Sequence, residues 1–145
     1  NSLLPACDVA APNFWELARI ADCDIKGLTD ARSAALSFGK PMLISSVPHE
    51  RGLGVLYAAP SGDWLCVSPR LPTAPKGTGD LLSALFTARR VKGEGAAVAL
   101  EGASGAVHDL IVRALALESD DLPLASAQHL LAEPLTWPRA VRLDD

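Results

Sequence analysis

The sequence of 145 residues is short of several things. Aromatic residues make up 5% of it, with one Tyr and one Met, so no aromatic stripe is available as a stacking platform. Trp15, Trp64 and Trp137 are scattered and read as packing residues. The three cysteines, Cys7, Cys23 and Cys66, are an odd, widely spaced set. They contain no Cys-x-x-Cys pair and no Cys/His spacing suited to zinc, which excludes a disulfide framework and reads as small buried apolar residues in a reducing compartment. Basic excess is absent too. Thirteen Lys and Arg against 17 Asp and Glu give a net charge of −4, so nothing draws the chain electrostatically to nucleic acid or an anionic membrane. Every apolar stretch meets Pro, Gly or a charge well short of the about 18 residues a spanning helix needs. Neither Gly-x-x-x-x-Gly-Lys-Ser/Thr nor Gly-x-Gly-x-x-Gly occurs, and there is no internal repeat or low-complexity tract.

What is present is 49% hydrophobic and 21% charged residues, a balance that excludes disorder and a coiled coil. The length suits one compact domain. His49, His108 and His129 form no ligand pattern, and structural or surface places are expected for them. Asp120-Asp121 and Asp144-Asp145 read as solvated loop and terminus. The chain starts at Asn1 rather than Met, opens on the apolar Leu3-Leu4-Pro5-Ala6-Cys7 and shows no signal peptide. A piece of something longer, in the cytoplasm, is the expectation.

Residues 6–12 read as a short buried strand that ends at Pro12-Asn13. Phe14, Leu17, Ala18 and Ala21 then share a helical face. Thr29 reads as the N-cap of a helix over residues 31–38, closed by Gly39. Residues 41–47 form the next strand candidate, and residues 47–52 a Gly/Pro-marked loop. Residues 53–59 and 64–67 read as a hairpin around Pro60-Ser61-Gly62-Asp63. Pro69, Pro72 and Pro75 restrict the loop over residues 68–76. A helix is expected from Leu81 to about Lys92, and another over residues 96–117, where Gly102 and Gly105 permit close packing. A short helix over residues 126–132 and an extended tail over residues 137–143 complete the order. Strands alternating with helices, then a helical run, predict a three-layer α/β/α fold. Its sheet is expected to be mostly parallel with one antiparallel hairpin.

Gly77-Thr78-Gly79-Asp80 carries the most chemical information. Two glycines let backbone amides approach an anion, and the helix that follows adds orphan N–H groups and a positive dipole end. An Asp adds negative charge where a phosphate would sit, but it is well placed to take a proton from an attacking alcohol. The same four residues also make a good helix start, with Asp in the first turn favouring the dipole. Asn13, Glu16 and Ser45-Ser46 also lie just after predicted strands. In open α/β sheets ligands gather at such ends, so these groups are expected to converge on one edge.

Three blocks resemble the ribokinase-like (PfkB-type) superfamily of sugar kinases, and within it the pyridoxal kinases. They are Ala11-Pro12-Asn13-Phe14-Trp15-Glu16-Leu17, Leu43-Ile44-Ser45-Ser46, and Pro75-Lys76-Gly77-Thr78-Gly79-Asp80-Leu81-Leu82-Ser83-Ala84-Leu85. The last is the specific one. The resemblance covers residues 1–145 as one nucleotide-binding region, the C-terminal half of a longer kinase. It implies transfer of the γ-phosphoryl of Mg-ATP to the 5′-hydroxymethyl of pyridoxal or pyridoxine. Asp80 matches the catalytic base, and Gly77, Thr78 and Gly79 match the anion hole. Asn13 and Glu16 match the motif that positions Mg²⁺ and phosphate oxygens, largely through water. Ser45 and Ser46 match a phosphate-contacting pair, and Leu71 matches a loop that shields adenine. Residues 47–52 would be mobile over the nucleotide. Lys76 stands beside the anion hole, facing either the ATP phosphates or solvent. The family's Thr-Pro-Asn is Ala11-Pro12-Asn13 here, which removes one hydroxyl near the phosphates. A monovalent cation, an N-terminal half in the same or a partner chain, and a homodimer are further expectations of the resemblance. Two alternatives stay open: another ribokinase-like kinase acting on a hydroxymethylpyrimidine or a sugar, and a nucleotide-binding module without catalysis.

Overall fold

Period-two burial along the strands sets the architecture. In the computed structural model, which describes residues 4–143, β1 (Met42–His49), β2 (Gly52–Ala58), β3 (Asp63–Ser68) and β4 (Ala140–Leu143) form one sheet in the order β1-β2-β3-β4. Met42, Ile44, Val47, Leu56, Ala58 and Leu65 face α1 (Phe14–Ala21) and α2 (Leu28–Ser37). Leu43, Tyr57, Ala59 and Cys66 face α3 (Thr78–Val91) and α4 (Ala96–Ala116). Alternate residues thus feed two cores, and the sheet is the middle of three layers. A short α5 (His129–Ala132) packs on α4 through Leu130, Ala127 and Leu110.

The sheet is antiparallel at every ladder, not mostly parallel. The reason is connection length. Glu50-Arg51 joins β1 to β2 and residues 59–62 join β2 to β3. Such short links allow only antiparallel pairing, because parallel neighbours need a crossover of about a dozen residues. Parallel pairing survives at two isolated bridges, Ala10 with Met42 and Asn13 with Ser45, on the outer edge of β1. The expected first strand over residues 6–12 is therefore an extended segment after a 3₁₀ turn at Leu4–Ala6. Its ties to β1 are Ala10 N–H to Pro41 O (3.1 Å), Leu43 N–H to Ala10 O (2.8 Å) and Ser45 N–H to Pro12 O (3.2 Å). Pro12 has no N–H to add.

Other boundaries shift as well. Residues 47–52 are not a loop: Val47, Pro48 and His49 belong to β1, and the link to β2 is tight. Gly27, not Thr29, is the N-cap of α2, while the Asp30 carboxylate accepts from Lys26 N–H at 2.9 Å. The tail ends in β4, an edge strand on β3. Asn1 to Leu3 and Asp144-Asp145 lie outside the described residues.

Helix α4 is the spine of the lower layer and clamps the chain that returns to β4. The Glu101 carboxylate accepts from Ala140 N–H (2.7 Å), and Asp109 accepts from Leu135 N–H (2.6 Å) and Thr136 N–H (3.0 Å). The close packing expected at Gly102 and Gly105 is present. A Cβ at Gly102 would collide with the Arg89 guanidinium, and one at Gly105 with the Thr136 carbonyl. Arg89 is buried, pairs with Glu94 at 3.1 Å and lies over the Trp137 ring at 5.4 Å.

The cysteine and tryptophan expectations hold in part. Cys66 is buried, Cys7 half-buried and Cys23 exposed. The Cys66 thiol donates to Pro138 O at 3.0 Å. Burial pushes it up to about 11, with the Ser104 hydroxyl pulling the other way and the Glu101 carboxylate adding to the rise. Trp15 is 64% exposed and Trp137 49% exposed, so neither is a core residue, because both ride on helix or tail surfaces rather than inward-facing strand positions. Among the described residues, no helix is long and apolar enough to cross a membrane.

Candidate functional site

A cavity of about 380 Å³ opens where α1, α3 and α4 meet the strand ends. Asn13, Ser45, Ser46, Leu71, Thr78 and Gly79 all line it. Four short sequence stretches more than 60 positions apart at the extremes are thus brought to one edge.

The serines arrive there through a bulge. Ile44 pairs with Leu56 and Val47 with Gly54, so β1 carries one residue more than β2 between those pairs. The extra residue returns Val47 to the upper core. Ser46 takes the left-handed conformation, φ 61°, which is uncommon for a residue with a Cβ. Ser45 and Ser46 both face the cavity as a result.

Asn13 reaches it as the N-cap of α1. Its side-chain oxygen accepts from Trp15 N–H (3.0 Å) and Glu16 N–H (2.9 Å), and the Glu16 carboxylate accepts from Asn13 N–H (2.8 Å). This is a complete capping box. Glu16 itself does not line the cavity; it borders a separate surface hollow with Ala10, Pro12 and Arg19.

Helix α3 begins three residues earlier than expected, at Thr78. Gly77 is its N-cap at φ 85°, a conformation that favours glycine, and no side chain caps the helix. Its first intrahelical bond runs from Leu81 N–H to Gly77 O. The amides of Thr78, Gly79 and Asp80 are therefore left for a ligand or water. A Cβ built on Gly79 would meet nothing within 4 Å, so the approach to these amides is open. Thr78 is part of the helix and does not cap it. Asp80, exposed, stands in the first turn, and Lys76 is exposed in the preceding loop; neither they nor Gly77 are among the cavity-lining residues.

Leu71 comes from the proline-restricted loop, beside Pro69, Thr73 and Ala74. The opposite wall is α4, where Ser104, Val107, His108 and Ile111 face inward at helical spacing. None of the four was expected at a site, and His108 was expected to be structural or on the surface. The available signal was polar Ser104 and His108, four apart on an otherwise Ala- and Leu-rich helix. Among the described residues, no Asp, Glu, Lys or Arg lines the cavity, so the positive end of the α3 dipole and its free amides are the electropositive features at its edge.

The comparisons agree with this fold. A pyridoxal kinase PdxY of Photobacterium profundum is 33% identical over 92% of this chain and 49% of its own length. A pyridoxal kinase PdxY of Rubrobacter xylanophilus is 30% identical over 93% of this chain and 50% of its own. The solved pyridoxal kinase of Leishmania donovani in complex with ADP and ginkgotoxin superposes with a TM-score of 0.86 at 25% identity, over 98% of this chain and 53% of that one. The chain thus spans about half the length of the curated relatives it matches. The family model of phosphomethylpyrimidine kinase matches residues 1–125, which hold the bulge serines, the α1 capping box and the Gly77–Asp80 turn, and the chain belongs to that ribokinase-like family.

Proposed function

We propose that this chain is the nucleotide-binding, C-terminal half of an ATP-dependent pyridoxal kinase of the cytoplasm, with residues 1–145 forming one nucleotide-binding region. The uncapped N-terminus of α3 beside the cavity carries the reading. The relatives' names and their doubled length support it. So does the outer edge of residues 10–13, where parallel bridging to β1 suits a sheet continued by further strands.

Phosphoryl transfer asks a protein for position and for charge stabilisation more than for covalent chemistry. In this reading the triphosphate lies between the bulge serines and the start of α3. The hydroxyls of Ser45 and Ser46 and the side chain of Asn13 hold its oxygens. The amides of Thr78 and Gly79, with Gly77 shaping the turn, face the charge that develops on the transferred group, and the α3 dipole adds to them. Lys76 places a cation at the rim. Asp80 accepts the proton of the 5′-hydroxymethyl as its oxygen attacks the γ-phosphorus and the bond to ADP breaks. Leu71 covers the base.

Mg²⁺ fits the donor set. The carboxylates of Glu16 and Asp80 stand in the first turns of α1 and α3. Among the described residues, no group of three or more His, Cys, Asp or Glu forms a cage. That suits an ion held mainly by phosphate oxygens and water, with few protein carboxylates. When bound it neutralises charge on the phosphates. Glu16 is its nearest candidate through water. A monovalent cation and a homodimer belong to the same reading.

The test is Asp80→Asn in the full-length kinase. Turnover is expected to fall about 10²–10⁴-fold, the usual worth of a positioned base, with nucleotide affinity kept. Near-normal turnover overturns the assignment. The intact mass of the native protein is expected at about twice the 15.2 kDa of this chain. A native mass of 15.2 kDa would favour a binding module without catalysis. The family match favours one rival substrate, a hydroxymethylpyrimidine. Phosphate transfer compared across pyridoxal, pyridoxine, hydroxymethylpyrimidine and ribose separates the two.

A further inference from the structure

We propose that Gly52 is a positioning residue for nucleotide binding: because it has no side chain, the turn between β1 and β2 lies against the start of the loop over residues 68–76 and holds Leu71 over the cavity. The inference rests on the assignment of the cavity to a nucleotide and goes beyond it to the residue that seats the covering loop.

Gly52 is the first residue of β2, straight after the two-residue link Glu50-Arg51. It pairs with His49 across the turn, and its neighbour Leu53 pairs with Ser68, the last residue of β3. Three segments thus meet at one backbone: the tight turn, the end of β3 and the loop that leaves it. Gly52 has φ 147°, a conformation that side chains rarely adopt. A Cβ there would overlap the carbonyl oxygen of Ser68 and come within 3.0 Å of Arg70 N and Pro69 Cα. All three are backbone atoms, so no rotamer change relieves the clash. Something in the backbone has to retreat by about an ångström.

The loop is the part that yields. The strands on either side are held by ladder pairing. The backbone N–H groups of residues 69–76 donate no hydrogen bond among the described residues, and Pro69, Pro72 and Pro75 have none to give. Packing against Gly52 therefore fixes where the loop starts. Pro69 and Leu71 line the cavity from this loop, and Ser68 lines it from the root. The bulge serines are shielded from the turn by the pairs Val47 with Gly54, Pro48 with Leu53 and His49 with Gly52. A retreat of the loop thus reaches the nucleoside end of the ligand and spares the phosphate end.

Gly62, in the link between β2 and β3, is the matched case away from the cavity. Its φ is 132°, and the atoms nearest a Cβ there all belong to the flexible Arg142 guanidinium, the closest at 3.4 Å. The two glycines share a backbone cost and differ in what a side chain would strike.

Equilibrium titration of the full-length kinase with ATP and inorganic tripolyphosphate tests this. Gly52→Ala is expected to weaken ATP about tenfold and leave tripolyphosphate within about twofold, with the KM for Mg-ATP raised and kcat kept. Gly62→Ala is expected to lower the melting temperature and change neither affinity. Leu71→Ala is expected to weaken ATP as well, and Gly52→Ala to add little in that background, because both act through one contact. Equal losses for ATP and tripolyphosphate, unaltered ATP affinity in Gly52→Ala, or fully additive losses in the double variant overturn the inference and leave the nucleotide reading intact. If Gly52→Ala does not fold, the added change Pro69→Gly, which frees the loop to step aside, is expected to restore folding with weak ATP binding. A double variant that stays unfolded, or that binds ATP normally, overturns the inference too. If neither ligand binds the unsubstituted protein, the nucleotide reading fails and this inference with it.

Discussion

Two helices begin at the same cavity with matched four-residue starts, and they treat their free amides in opposite ways. Helix α1 starts Asn13-Phe14-Trp15-Glu16, and α3 starts Gly77-Thr78-Gly79-Asp80. In α1 the side chains at the first and last of these positions close a reciprocal box, so the exposed N–H groups are spent internally. In α3 the first position has no side chain, and its φ of 85° turns the backbone out of the geometry such a box needs. Asp80 also has one methylene fewer than Glu16 with which to reach back. The same fold position closes on itself in one helix and leaves its amides open in the other. Residue type at two places decides which. Stability is concentrated at α1, and α3 forgoes a cap worth about 1 kcal/mol and keeps its amides free.

The largest effect that sharpens this contrast is on rate. Asp80→Asn keeps the size of the side chain and removes its basicity, so the loss of about 10²–10⁴ in turnover should come with a melting shift of no more than about 3 °C, the dipole attraction of one first-turn carboxylate. The matched change at α1, Asn13→Ala, should show the reverse pattern. A fall in melting temperature for Asp80→Asn, with turnover kept, would place Asp80 among the caps and erase the contrast.

Next comes the backbone. Gly77→Ala meets no steric obstacle, since a Cβ there has open space around it. Its cost is conformational, about 1–2 kcal/mol for a non-glycine residue in the left-handed region. A melting temperature lower by about 3–6 °C is expected, with weaker nucleotide binding. Gly95→Ala is the control. Gly95 caps α4 at φ −61° with equally open space, so its change should leave melting nearly unaltered. Equal effects at both glycines would show that the turn at Gly77 carries no special geometry.

Asn13→Ala removes the lock from α1. Loss of an N-cap costs about 1 kcal/mol, or about 3 °C in melting temperature for a chain of this size. Asn13→Asp keeps the cap acceptor and adds a charge at the cavity wall. Melting should be preserved while affinity for tripolyphosphate falls, because like charges repel. If Asn13→Asp binds tripolyphosphate as well as the unsubstituted protein, the anion does not lie beside α1.

How much of this was legible in the sequence follows from range of interaction. Helix α1 was readable to the residue, because Asn13, Glu16 and the spacing of Phe14 and Leu17 are local signals. So was the turn at Gly77, though not the start of α3 at Thr78, since a Thr before Gly-Asp looks like a cap. Sheet polarity was misjudged. Apolar runs record burial but not direction, and direction here is set by the two-residue link at Glu50-Arg51, which reads as part of a loop because Pro48 and Gly52 flank it. The α4 wall escaped notice for a different reason. Ser104 and His108 look like incidental polar residues until the loop carrying Leu71 is folded against them, a contact more than 30 positions distant in the chain.

Glu16→Gln gives the smallest effect and the finest discrimination. Glutamine at the third helical position still reaches back to the N-cap N–H, so the box survives without its charge. Only the dipole attraction is lost, about 0.3–1 kcal/mol at low salt, and less when salt screens it. If Glu16 serves α1 alone, melting shifts by no more than about 3 °C and the KM for Mg-ATP stays put. If it also steadies Mg²⁺ through water, the KM for Mg-ATP rises and excess Mg²⁺ restores the rate, because the missing interaction lies on the metal rather than on the helix. The melting curve and the magnesium titration read different properties of one carboxylate, and α1 is a pure lock only if the second stays flat.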